Sequence, residues 1–166
     1  MFKKYFLSHA GKIGIAIVIL NALCILNSAF FFLVTARFSP VAWIFFNACA
    51  PSTLIFITGF ILRKKAVMVA SLPFLCFFGI GGMFVFGWSG TSLIAQVGHI
   101  CMAMAVIYTI LLMYAEGGKR SVVRGLIAGF IAFAVFFPFQ HKYVIDHPEL
   151  VKKLADPTFE KSVNVE

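Results

Sequence analysis

Apolar residues run along this chain in long unbroken blocks, separated by short clusters of charged, glycine or proline residues. A helix needs about 20 predominantly apolar residues to cross the roughly 30 Å hydrocarbon core of a bilayer. Five windows meet that requirement: residues 13–36, 41–62, 66–88, 92–115 and 122–139, the last being the shortest. The runs are continuous and do not alternate at period two, which argues for helices and against a membrane barrel. The predicted fold is therefore all-α, a polytopic membrane bundle of about five spans over residues 13–139. The spans are joined by Arg37-Phe38-Ser39-Pro40, by Arg63-Lys64-Lys65, by Gly90-Thr91 beside Trp88, and by the segment 116–121. Links this short make consecutive spans antiparallel neighbours.

The ends of the chain have a different pattern. Residues 1–12 mix Phe2, Tyr5, Phe6 and Leu7 with Lys3, Lys4 and His9, which suits a lead-in lying on the inner leaflet as a short interfacial helix. The first apolar run is too long for the core of a signal peptide and reads as a retained span. Residues 140–166 form a polar tail. In it, Asp146-His147-Pro148-Glu149 marks a helix start, with proline in the first turn and acids at the positive end of the dipole. Leu150, Val151 and Leu154 then supply one apolar stripe, which Asp156-Pro157 ends.

Composition agrees with this reading. The chain is 61% hydrophobic and 12% charged, too apolar to cover a water-facing surface. Lys and Arg number 14 against 6 Asp and Glu. The basic residues sit at the ends of the apolar runs, where they orient spans and meet lipid head groups, so nucleic acid is not an expected partner. Nine of them (Lys3, Lys4, Lys12, Arg63, Lys64, Lys65, Lys119, Arg120 and Arg124) fall on one side. Arg37, Lys142, Lys152, Lys153 and Lys161 fall on the other. The positive-inside bias then predicts a multi-pass protein of the cell membrane with a cytoplasmic N-terminus and an external C-terminus.

Packing signals are also visible. Gly125-x-x-x-Gly129 and Ala128-x-x-x-Ala132 open the fifth window, and the third holds Gly79, Gly81, Gly82 and Gly87. Small residues let helices approach closely in lipid, where burial against a neighbour gains little. Pro51 and Pro73 interrupt the second and third windows and predict kinks.

No Asp, Glu, Lys or Arg lies in the middle of any window. That removes carboxylate proton relays, paired-aspartate proteolysis and carboxylate-held cations, and makes an enzyme the less expected class. The remaining polarity is uncharged: Asn21, Asn27 and Ser28 in the first window, Asn47 in the second, Gln96 and His99 in the fourth. Asn21, Cys24 and Ser28 share one helical face, as do Gln96 and His99. The candidate substrate-binding set is Asn21, Asn47, Gln96 and His99, with Trp88 as a candidate lid. It suits a small neutral or weakly polar solute, in a transport protein or the membrane subunit of a larger transporter. That transport reading leads; the alternative is interhelical bonding by the same residues in a structural or assembly subunit that packs with lipid, copies of itself or partner subunits. A redox or metal protein built on His99 and on Cys24, Cys49, Cys76 and Cys101 is a third reading, as is a divalent site at His141, Asp146, His147 and Glu149. The sequence names no cofactor. Trp43, Trp88, Tyr5, Tyr108, Tyr114 and Tyr143 read as interface anchors.

Overall fold

The computed structural model describes residues 2–85, 87–88 and 92–155. The expected turn at Gly90-Thr91 and the loose end after Asp156-Pro157 lie outside the described residues. Among those described, all regular structure is helical. Four helices are long and apolar enough to cross a membrane, or five if a bent pair counts as one span. The chain is an all-α, multi-pass membrane bundle.

Helix α1 (Phe2–Ala29) runs on through a π-helical turn, Phe30–Thr35. The lead-in is helical from Phe2 and continuous with the first span. The helical run Lys4–Thr35 has 32 residues, about 48 Å, and exceeds the hydrocarbon core.

The second window is not one straight helix. It divides into α2 (Pro40–Phe46) and α3 (Cys49–Ile61), which meet at 91°. Ser39 caps α2, its Oγ accepting from the Ala42 N–H at 3.1 Å, with Pro40 in the first turn. Pro51 explains the break. Its ring would collide with the Asn47 carbonyl if the helix continued, and it has no N–H to give. The Asn47 carbonyl accepts instead from the Ala50 N–H at 3.0 Å. Pro51 thus sits in the first turn of α3, where a missing donor removes an orphan and leaves no gap in the ladder. The kink expected from sequence is a right-angle turn. At 13 residues, α3 is about 20 Å long, short of a full crossing.

The third span is built from α4 (Lys65–Ala70), α5 (Leu72–Phe74), a π-helical stretch Leu75–Ile80 and α6 (Gly81–Val85). Pro73 falls in the first turn of α5, again where its N–H is not needed. Helix α7 (Ser92–Glu116) is the fourth span. Gly117 and Gly118 then turn the chain with φ of +73° and +98°, a left-handed path open to glycine. Helix α8 (Lys119–Asp146) is far longer than its apolar window, with 28 residues. The tail helix α9 (Pro148–Ala155) begins where the Asp-His-Pro-Glu signal placed it.

Half of the third span's apolar window and 39% of that of α7 are buried, against 11% for α1 and α8. The third span and α7 are therefore central, with α1 and α8 at the edges. Helix α1 packs on α7 and α3, and α8 packs on the third span. The small residues of α8 set the second contact as expected. A Cβ on Gly125 would stand 2.6 Å from the Ala66 carbonyl oxygen, and one on Gly129 would stand 2.9 Å from Ala70 Cα. Phenylalanines extend this seam: Phe74 packs edge-on to Phe133 at 5.3 Å, and Phe77 to Phe137 at 5.2 Å. Buried hydroxyls donate within their own helices, Ser52 to the Ala48 carbonyl at 2.6 Å and Thr109 to the Ala105 carbonyl at 2.8 Å. No free donor is left in the core by these two residues.

The two ends of the bundle are distinct. At one, Tyr108 donates to the Ala10 carbonyl at 3.1 Å and Lys65 pairs with Glu116. Tyr108 is 4% exposed, packed among Phe6, Phe56 and Phe60, so it is a core residue and not an interface anchor. Its hydroxyl needs a buried acceptor, and the α1 carbonyl supplies one. At the other end, α9 lies on the first hairpin, with Leu150 and Leu154 against Ala36, Phe38 and Ala42. Lys153 donates to the Ala36 carbonyl at 2.5 Å and lies over the Phe38 ring at 5.7 Å. We expect Lys153→Met to loosen α9 by about 1 kcal/mol, read as faster amide hydrogen exchange across residues 148–155 with α8 unchanged.

Candidate functional site

The uncharged polar residues of the spans are engaged at three separate places. The first joins α1 to α7. Asn21 is 1% exposed, and its Nδ2 donates to the Ile17 carbonyl at 2.9 Å and across the helix pair to the Cys101 carbonyl at 3.1 Å. One turn along the same face, the Cys24 thiol lies near Cys101. The Asn21 Oδ1 has no partner.

The second place joins α7 to the third span. Gln96 and His99 are both buried, one turn apart, and Gln96 Oε1 pairs with His99 Nδ1 at 3.1 Å. Gln96 Nε2 reaches the Gly87 carbonyl at 3.3 Å. The far edge of the imidazole lies on Gly82, where an added Cβ would stand 2.6 Å from Nε2 and 2.7 Å from Cε1. Gly82 therefore makes room for a protein ring, and Gly79 does the same for Met102, whose Cβ would be 2.7 Å from an added methyl.

The third place joins the end of α1 to the break between α2 and α3. Ser28 Oγ accepts from Trp43 Nε1 at 3.1 Å and from Asn47 Nδ2. Trp43 and Ser28 form a bond that composition hides, because a tryptophan near a span end reads first as a lipid anchor. Trp88 stands apart, 54% exposed, with its Nε1 donating to the Met83 carbonyl at 3.1 Å at the end of its own span.

Of the five candidate residues, Gln96 and His99 thus form a pair, Asn21 and Asn47 each bond elsewhere, and Trp88 is at the surface. The Asn21 face meets α7 at Cys101, two residues beyond His99. The imidazole itself turns toward Gly82. A cavity of 280 Å³ is lined by Lys119, Arg120, Val123 and Arg124, and a void of 10 Å³ lies by Met68 and Thr109. Neither touches any of the five.

The thiols do not converge. Cys49 Sγ points to the Phe78 carbonyl at 3.8 Å, Cys76 is exposed, and only Cys24 and Cys101 meet. Among the described residues, no three His, Cys, Asp or Glu side chains come together as a metal site. In the tail cluster, His147 stacks on Tyr143 at 4.1 Å and its Nδ1 contacts the Tyr143 carbonyl at 2.8 Å, while His141 stacks on Phe137. Both imidazoles are placed by their own helix.

The chain matches no family model, and no curated protein or solved structure is similar to it at a significant level.

Proposed function

We propose that this chain is a non-catalytic component of a membrane assembly, a scaffold whose polar side chains bind helices to one another. One observation carries the reading: Asn21, Ser28 and Asn47 bond from one helical segment to another, and the Gln96–His99 pair reaches the third span at Gly87 and Gly82. A solute pathway requires such groups to face a shared, water-accessible space. The reading includes the orientation of the bundle. The end with Lys4, Lys12, Arg63, Lys64, Lys65, Lys119, Arg120 and Arg124 is cytoplasmic, and α9 lies outside, in accord with the positive-inside bias.

A second reading, passage or binding of a small neutral solute, is favoured by the broken second span. Discontinuous helices at membrane depth line the sites of many carriers, and the break at Asn47 is one. The native cysteines separate the two readings. Cys24 and Cys101 flank the Asn21 contact and Cys49 lies two residues past Asn47. A packed scaffold leaves all three unreactive to a charged methanethiosulfonate reagent in folded, micelle-bound protein, with reaction only after unfolding. Rapid labelling of Cys49 or Cys101 in the folded protein would overturn the scaffold reading in favour of a solute path.

A further inference from the structure

Asn27 differs from every other amide of the spans. It lies on α1 ten residues, about 15 Å, from Arg37 and fifteen, about 22 Å, from Lys12, and so sits within the hydrocarbon layer. It is exposed on the surface of the bundle, and it has no hydrogen-bond partner among the described residues. Asn21, six residues away, is buried and bonded across to α7. An amide facing hydrocarbon with its donors and acceptor unmade is costly, and a neighbouring helix is the usual remedy.

The surroundings of Asn27 have the spacing such a neighbour requires. Ala16, Leu20, Leu23, Asn27, Phe30 and Val34 follow one another at intervals of four, three, four, three and four, and all are exposed. That is the 3.5-residue repeat of two helices packed along a common seam, with one polar position within an apolar run. The small Ala16 allows close approach on the cytoplasmic side of the seam.

We propose that α1 is a self-association helix and that the partner of Asn27 is Asn27 of a second copy of this chain. Two copies inserted with one topology place their first spans parallel, related by a two-fold axis along the membrane normal. Asn27 then meets its counterpart at equal depth. A carboxamide is both donor and acceptor, so two of them satisfy each other reciprocally, and no other side chain at that depth is needed. The single polar position also fixes the register, since sliding either helix leaves both amides unpaired again. This inference rests on α1 alone and stands or falls independently of whether the bundle is a scaffold or a solute path.

Sedimentation equilibrium of the full chain in density-matched micelles tests it. Wild type dimerises. Asn27→Leu weakens dimerisation about tenfold, while Asn27→Gln, which keeps the amide, stays close to wild type. Far-UV circular dichroism of Asn27→Leu matches wild type, because position 27 is exposed and its amide holds no other part of the bundle. In native membranes, a photo-crosslinking residue in place of Leu20 or Val34 yields a dimer of this chain, and one in place of Ile15, exposed but off the seam, does not. This second arm needs no change at Asn27, so it decides the matter even if Asn27→Leu fails to fold. A wild-type monomer at every concentration, equal dimerisation by Asn27→Leu, dimer crosslinks from Ile15 as strong as those from Leu20 and Val34, or crosslinks from Leu20 and Val34 to a different polypeptide would each overturn the proposal.

Discussion

Gly129→Leu lowers the stability of the bundle by about 3 kcal/mol, read as a shift to lower sodium dodecyl sulfate fraction in reversible mixed-micelle unfolding. The contact is between backbones. A side chain begun at Gly129 would place its first carbon 2.9 Å from Ala70 Cα and 3.0 Å from the Ala70 carbonyl carbon, atoms that have no rotamer to change. The only relief is to move α8 away from the third span. In lipid that loss is severe for an edge helix, because association rests on close van der Waals contact and not on removal of apolar surface from water. Phe133 and Phe137, which pack beside this contact, would lose their partners Phe74 and Phe77 in the same movement. Gly98 provides the contrast. An added Cβ there meets nothing within 4 Å, so Gly98→Ala is expected to be neutral or to stabilise α7 by up to about 1 kcal/mol through helix propensity. Equal effects at Gly129 and Gly98 would mean that α8 does not lie where the structure has it.

Gly82→Ala is expected to destabilise by about 2 kcal/mol, although the same exchange normally favours a helix interior. The methyl would stand 2.6–2.9 Å from three atoms of the His99 ring. That ring is 4% exposed and tied through Nδ1 to Gln96, so it cannot swing aside without breaking the pair and baring a polar group in hydrocarbon. His99→Ala removes both the obstacle and the bond. On its own it costs about 1–3 kcal/mol, but in its presence Gly82→Ala becomes neutral or favourable. A double-mutant cycle in the same unfolding assay reads this coupling directly. If Gly82→Ala costs the same in both backgrounds, His99 does not pack on the third span, and the scaffold reading loses one of its three helix–helix links.

Much of this architecture is legible in the residues alone. Window hydropathy measures transfer into hydrocarbon, a property of each segment by itself. Its windows 13–36, 66–88 and 92–115 therefore fall on the long apolar helices Lys4–Thr35, Lys65–Phe84 and Ser92–Glu116, whatever these pack against. Local rules did as well at the ends. Proline in the first turn and an acid at the dipole's positive end marked the start of α9, and two glycines marked the turn into α8. Hydropathy failed at Asn47, where apolar residues continue on both sides of a right-angle break. The cause is a single missing donor and a ring clash at Pro51, to which an average over twenty residues is blind. It also gives no sign that α8 runs on past the fifth window into polar residues, held there by contacts that lie far away in sequence, such as Gln140 donating to the Phe45 carbonyl at 3.1 Å.

The polar residues divide along the same line. Periodicity alone placed Gln96 and His99 on one face and Asn21 with Cys24 on another, since helical geometry fixes which side chains are neighbours on their own helix. Which helix each face meets depends on how five segments nest together, and that is set by where backbones can approach most closely. Gly82 admits the imidazole, Gly125 and Gly129 bring α8 against α4, and the turn at Asn47 carries its amide to Ser28. The amino-acid order by itself determined that this chain lives in a membrane as helices and that its few amides and imidazoles need partners. Only the tertiary structure decided who those partners are, because a hydrogen bond in hydrocarbon is chosen by the nearest available group in space and carries no trace in the spacing of residues along one strand of chain.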